Sequence, residues 1–424
     1  MKSPFAIDKV SARMILDSRG IPTLEAEAVS GSFVARAAAP AGVSKGRFEA
    51  HDLRDEEAAF HGMGVSKAIR SVNGAMSSEI KGMSAVAQEE VDRALIELDG
   101  TPTKTKLGAN ALIATSMAVA RLGAMVQDIP LYEHLHALSK HKTSKSVSLP
   151  FPLINVLSGG KHAGNELPFQ EFSIEFAKAK NVSAALQLSS EFYQSLRQAI
   201  VKKYDARAAN VGEGGGFAIP EADVRVALDV LMEVAKERGV EKQIKIGLTA
   251  AASHIRKKGA YVLDGKPLTH RQLVNYYANL VDQYPISIIE DPFAEDDLPG
   301  FQGIVSRIGT THPIVGDDLL VSNPSRIKRV LDLKACNGLN VKPNQVGTLT
   351  ESLESIALAH NAGWTIVISD RAGDTEDDFI SDLAVGTNAH YLKAGSLSRS
   401  ERVAKYNRLL RIEEELGKKA VMVR

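Results

Sequence analysis

Five short apolar runs in the second half of the chain each end in a charged residue. Ile286-Ser-Ile-Ile runs into Glu290, Pro313-Ile-Val-Gly into Asp317, Gly338-Leu-Asn-Val into Lys342, Thr365-Ile-Val-Ile-Ser into Asp370, and His390-Tyr-Leu into Lys393. Successive charges are 27, 25, 28 and 23 residues apart, each interval long enough for a strand, a helix and two turns. Apolar runs alternating with helical segments are the pattern of parallel β/α units. In a β/α barrel, charged residues at the C-terminal strand ends point into the active-site mouth. Three acids and two lysines are therefore expected to converge, a composition suited to proton transfer and to holding ions.

The preceding elements must position that series. Residues 6–40 read as strands, with a turn at Ser18-Arg-Gly-Ile-Pro22 and period-two alternation over Thr23-Leu-Glu-Ala-Glu-Ala-Val29. Pro40-Ala-Gly-Val-Ser-Lys-Gly46 is a glycine-containing loop of the kind that serves as a lid or as a plain connection. Helical patterns run from Glu56 to about Leu98 and from Asn110 to Met125. The polar residues 138–147 make the best domain boundary, dividing the chain into 1–138 and 139–424. Beyond it, an apolar run from Leu149 to Val156 enters Ser158-Gly-Gly-Lys-His-Ala-Gly-Asn165. A strand pattern follows at Gln170-Glu-Phe-Ser-Ile174, and a second glycine cluster at Val211-Gly-Glu-Gly-Gly-Gly-Phe217. Helices are expected over 180–203 and 222–238, and a strand over Lys245-Ile-Gly-Leu-Thr249. The Arg- and Glu-rich segment from Ser398 to Leu416 reads as a helix with a solvated face.

Composition excludes several classes. At 424 residues the chain exceeds one ordinary core. Lys plus Arg balances Asp plus Glu at 51 each, so charge gives no reason to expect nucleic acid or an anionic membrane as partner. Cys336 is the only cysteine, which rules out an internal disulfide and fits a reducing compartment. No uninterrupted apolar stretch approaches the roughly 20 residues of a membrane span. The N-terminus lacks the apolar core of a signal peptide, so a cytoplasmic protein is expected.

Nine stretches resemble one family, the enolases. They are Asp17-Ser-Arg-Gly-Ile-Pro-Thr23, the 40–46 loop, Gly108-Ala-Asn110, Gly159 to Asn165, Gln170-Glu-Phe172, Ile289 to Asp297, Val315-Gly-Asp-Asp-Leu319, Lys342 to Ser352 and Arg399-Ser-Glu-Arg402. The resemblance implies an α/β fold, an enolase-type TIM-like barrel of order ββαα(βα)₆ behind an N-terminal α+β capping domain. It also implies a carbon–oxygen lyase acting on a small carboxylate, Mg²⁺ as cofactor, and a homodimer or octamer. This superfamily forms an enolate with a lysine or histidine base and Mg²⁺. Lys342 would be the base and Lys393 the partner of the substrate carboxylate. Glu290, Asp317 and, for a second ion, Ser44 would be metal ligands. Glu171 and His162 would sit beside the leaving hydroxyl, Arg371 would bind phosphate, and Gln170 and Lys45 would line the substrate.

Four positions depart from the family pattern. Gly214 stands where enolases carry the general acid, and neighbouring Glu213 is aimed elsewhere by the one-residue offset. Thr249 replaces a metal-binding aspartate. Asp370-Arg371-Ala372 replaces His-Arg-Ser, so a histidine has become an acid and a phosphate-binding hydroxyl is gone. Asp370 adds a carboxylate as Thr249 removes one, so the metal site could be rebuilt around it, and Gly214 and Ala372 should open space. The favoured expectation is a divergent enzyme abstracting a proton next to a carboxylate through Lys342, with Glu171 or Asp370 assisting, on a substrate other than or larger than 2-phosphoglycerate. The alternatives are an authentic phosphopyruvate hydratase of glycolysis and a non-catalytic binding or scaffold protein.

Overall fold

The structure, a computed structural model, describes residues 5–42, 46–140, 146–263 and 265–423. Strands β1 (Lys9–Leu16), β2 (Pro22–Ser30) and β3 (Phe33–Ala38) form an antiparallel meander. Inward-facing Leu24, Ala26 and Ala28 of β2 are fully buried, as their period-two spacing requires. The helix Ala109–Val126 covers β2 and β3, its alanines allowing close approach. By length and composition it is the one described helix apolar enough to cross a membrane, and it is 83% buried within the protein.

The helical pattern expected from Glu56 to Leu98 is broken in the structure. Residues up to 65 are largely irregular, and the helix starts only at Ser66. Glu56, Phe60 and His61 adopt positive φ there. The Asp55 carboxylate accepts hydrogen bonds from the Ser66 and Lys67 amides at 2.9 and 2.8 Å, so it caps the helix from eleven residues upstream. A second break follows Ile80, at the positive-φ Gly82, before the helix Gln88–Asp99.

The second part is a barrel of β4 (Phe151–Pro152), β5 (Ile154–Ser158), β6 (Glu171–Glu175) and β7 (Lys245–Thr249), continued by β11 (Ile286–Glu290), β12 (Ile314–Gly316), β13 (Gly338–Val341), β14 (Thr365–Ser369) and β15 (Tyr391–Lys393). A small separate sheet, β8 (Arg256–Lys257), β9 (Ala260–Leu263) and β10 (Lys266–Leu268), is inserted after β7. β4 and β5 are one strand interrupted at Leu153, so the sheet order from β4 through β15 round to β5 closes on itself. β6 runs antiparallel to both β5 and β7, and the remaining pairs are parallel. Because β6 is reversed, its first residue, Glu171, reaches the same rim as the last residues of its neighbours. Register makes this concrete: Glu171 pairs with Thr249, Thr249 with Glu290, and Ser369 with Lys393.

The last long helix, Ser400–Leu416, has a solvated face at Asn407, Arg411, Glu414 and Glu415, but its other face is buried. Glu401, Arg402, Lys405, Tyr406, Leu409 and Ile412 are buried at helical spacing. Two of its cations face inward because buried acids await them: Lys405 pairs with Asp374 at 2.8 Å, and Arg402 meets Asp370.

Candidate active site

All five rim charges line one pocket at the C-terminal end of the barrel strands. His162, Gln170, Glu171, Arg371 and the other three departing positions, Gly214, Thr249 and Ala372, join them, whereas Ser44 and Lys45 lie outside the described residues. Lys342 follows β13 directly, and its Nζ donates to Asp317 Oδ2. Lys393 ends β15, and its Nζ donates to both Glu290 oxygens at 2.8 and 2.7 Å and to Thr249 Oγ1 at 3.1 Å. Glu171 lies 3.2 Å from the same ammonium. Each lysine thus neutralises a different carboxylate.

The electrostatics follow from burial and these pairs. Burial disfavours the Lys342 ammonium, but Asp317 outweighs it and the pKa rises. Burial likewise opposes ionisation of Glu171, yet neighbouring Lys393 holds its pKa below the usual range, leaving it charged. Burial lowers the His162 pKa to about 4, so its imidazole is neutral at pH 7, and Nε2 has no hydrogen-bond partner among the described residues. Burial raises Asp370 to about 6 against the pull of Arg402, and raises Asp318 to about 8 with help from Asp317.

Among the described residues, Asp370, around which a rebuilt metal site was expected, does not join the closely gathered acids. Asp370 is drawn to the other wall by Arg402, whose guanidinium also donates to the Glu213 and Ala372 carbonyls at 3.0 and 2.7 Å. Among the described residues, the acid oxygens that gather within 4.8 Å of one another belong instead to Asp291, Asp317 and Asp318. Asp291 is partly committed there, accepting the Asp317 and Asp318 amides at 2.9 and 2.8 Å. Nor does Gly214 open much room: a Cβ at that position would meet Asn155 Nδ2 at 3.0 Å and Glu171 Oε1 at 3.3 Å. Glu213 is not among the residues lining the pocket, and burial raises its carboxyl pKa against the pull of Arg19, Arg402 and Arg399.

Comparison with known proteins decides the lineage. Residues 7–135 match the family described as "Enolase, N-terminal domain" and residues 146–423 "Enolase, C-terminal TIM barrel domain". The chain is similar to the enolase of Methanocaldococcus jannaschii, 46% identical over 418 residues covering 98% of this chain and 97% of the relative. It is similar to that of Aeropyrum pernix, 44% identical over 416 residues, 97% and 95% of the two chains. The chain belongs to the enolase family.

The site also contains groups to which residue type and spacing assign no role. Arg402 belongs to the Arg399-Ser-Glu-Arg402 stretch and to a helix whose composition suggests solvent. Asp318 follows Asp317 with no local sign of a function. Glu49, which pairs with Arg371, carries no local signal, because its partner is 322 residues away.

Proposed function

We propose that this enolase-family protein is a lyase that interconverts 2-phosphoglycerate and phosphoenolpyruvate. The observation that carries the reading is the joint placement of Lys342, Lys393, Glu290, Asp317 and Arg371 around one pocket in a chain so similar to enolases. Neutral Lys342 would take the proton from the carbon next to the carboxylate, leaving the electron pair in an enolate. Lys393, held by Glu290 and Glu171, would face the carboxylate and its developing charge. The carbon–oxygen bond at the neighbouring carbon then breaks, and the hydroxyl leaves as water with a proton from Asp370, a pocket carboxyl that burial raises to about 6 and that lies on the wall opposite Lys342 and Asp317. Arg371 would hold the phosphate by charge-assisted hydrogen bonds. Glu290 and Asp317 are hard oxygen donors and would hold a first Mg²⁺, with Ser44 serving a second, although Thr249 supplies a weaker oxygen to the first site than a carboxylate. A bound Mg²⁺ would supply positive charge toward the enolate and relieve Lys342 of its hold on Asp317. The reading entails a cytoplasmic enzyme, assembled as a homodimer or octamer.

One observation favours a second reading. Gly214 provides no acid and Arg402 holds Asp370, which suits a substrate that departs from 2-phosphoglycerate at its leaving group. Formation of phosphoenolpyruvate, followed by its ultraviolet absorbance with and without Mg²⁺, separates the two. Turnover lost in Lys342→Ala supports the first, and no rate above background rejects it.

A further inference from the structure

Arg371 is held by a residue that no part of the proposed reaction uses. Its Nη1 and Nη2 donate to Glu49 Oε2 and Oε1 at 3.0 and 3.1 Å, a two-point contact between side chains only 3% and 5% exposed. Glu49 is itself fixed: its Oε1 accepts from the Gly46 amide at 3.0 Å and from Gln345 Nε2 at 3.4 Å. Gln345 Nε2 also donates to Asp317 Oδ1 at 3.1 Å, so one amide group joins the Arg371 side of the pocket to the Lys342 side.

A guanidinium has two edges able to grip a two-oxygen anion, one made of both Nη atoms and one of Nε with Nη2. Glu49 takes the first. On the second, Nε carries no protein acceptor among the described residues. Gly42 borders this edge, and a Cβ there would come within 1.8 Å of Nη2 and 3.2 Å of Nε. A glycine is therefore required for Arg371 to lie as it does. The backbone on either side is pinned, Ala41 and Gly373 exchanging amide hydrogen bonds at 2.7 and 2.9 Å.

We propose that Glu49 is a positioning residue for the substrate's phosphate, clamping one edge of Arg371 so that the other faces the pocket. A buried arginine without that clamp would have several rotamers and would turn toward other acids such as Asp317. The proposal rests on Arg371 being the phosphate-binding arm, and its test does not require turnover.

Glu49→Gln keeps the shape and removes the charge. Calorimetry with inorganic phosphate as probe should show the dissociation constant of the full-length protein rising about tenfold, the scale of a misplaced binding group. In the turnover assay, KM for 2-phosphoglycerate should rise comparably with kcat changed less than threefold. A folded Glu49→Gln protein that binds phosphate like the parent overturns the proposal, as does a fall in kcat with KM intact. Should Glu49→Gln not fold, Glu49→Asp retains the charge but shortens the reach; weakened phosphate binding supports the clamp and parental binding refutes it. If the parent shows no turnover while phosphate binding still depends on Glu49, the proposed reaction fails and the clamp stands.

Discussion

Burial lifts the Asp370 carboxyl to about 6, and this sets a pH dependence for the proposed reaction. A proton donor is present below its pKa and lost as pH rises through it. The rate limited by departure of the hydroxyl should therefore fall above about pH 6, and Asp370→Asn should abolish that limb of the profile. If Asp370 is the donor, the substitution should also lower kcat by about 10²–10⁴; an unchanged kcat would pass the role to another group. Glu171 is a poor candidate, because Lys393 keeps it ionised. His162 is equally unsuited, being neutral well above its pKa of about 4. At this scale the sequence showed which residues had changed but not what they touched. Thr249 is a case in point: read as a missing ligand, it is also an acceptor for the Lys393 ammonium.

The helix Ser400–Leu416 joins the leaving-group wall to the rest of the barrel. Arg402→Leu would leave Asp370 buried without its partner and release the Glu213 and Ala372 carbonyls. A loss of about 3–5 kcal/mol in unfolding free energy is expected, measured by urea titration. A change within about 0.5 kcal/mol would suit a position on the solvated face of this helix. Composition shows that face but not the buried one, for a physical reason. Polar residues on a helix read as solvent-facing unless their partners are known, and Asp370 and Asp374 are acids 32 and 31 residues from Arg402 and Lys405 in the chain. The rim was legible because each β strand announces itself locally by an apolar run with a charge at its end. The irregular stretch near residue 60 was not, since its positive φ angles at Glu56, Phe60 and His61 have no signature in residue type.

For the molecule as a whole, Mg²⁺ should stabilise the folded state if the carboxylates of the pocket hold it. At a concentration 100 times its dissociation constant the gain is about 2.7 kcal/mol, read as a raised Tm that EDTA reverses. No shift would speak for a non-catalytic protein. The N-terminal part and the barrel part are joined by polar contacts. Asp92 of the first accepts from the Thr350 amide and hydroxyl of the second at 2.9 and 2.7 Å, and Arg121 pairs with Asp377 and Asp378 at 2.9 Å. The fold class was readable from spacing, whereas these contacts span more than 250 residues and leave no periodic trace. The Arg402 guanidinium, which ties Glu213 to Asp370, also sets a clock for biosynthesis. A ribosome adding about 5–20 residues per second delivers Lys342 several seconds before Arg402. Until then the nascent barrel carries its base but an unsecured opposite wall, so chains halted before Arg402 should be protease-sensitive at the segment around Glu213.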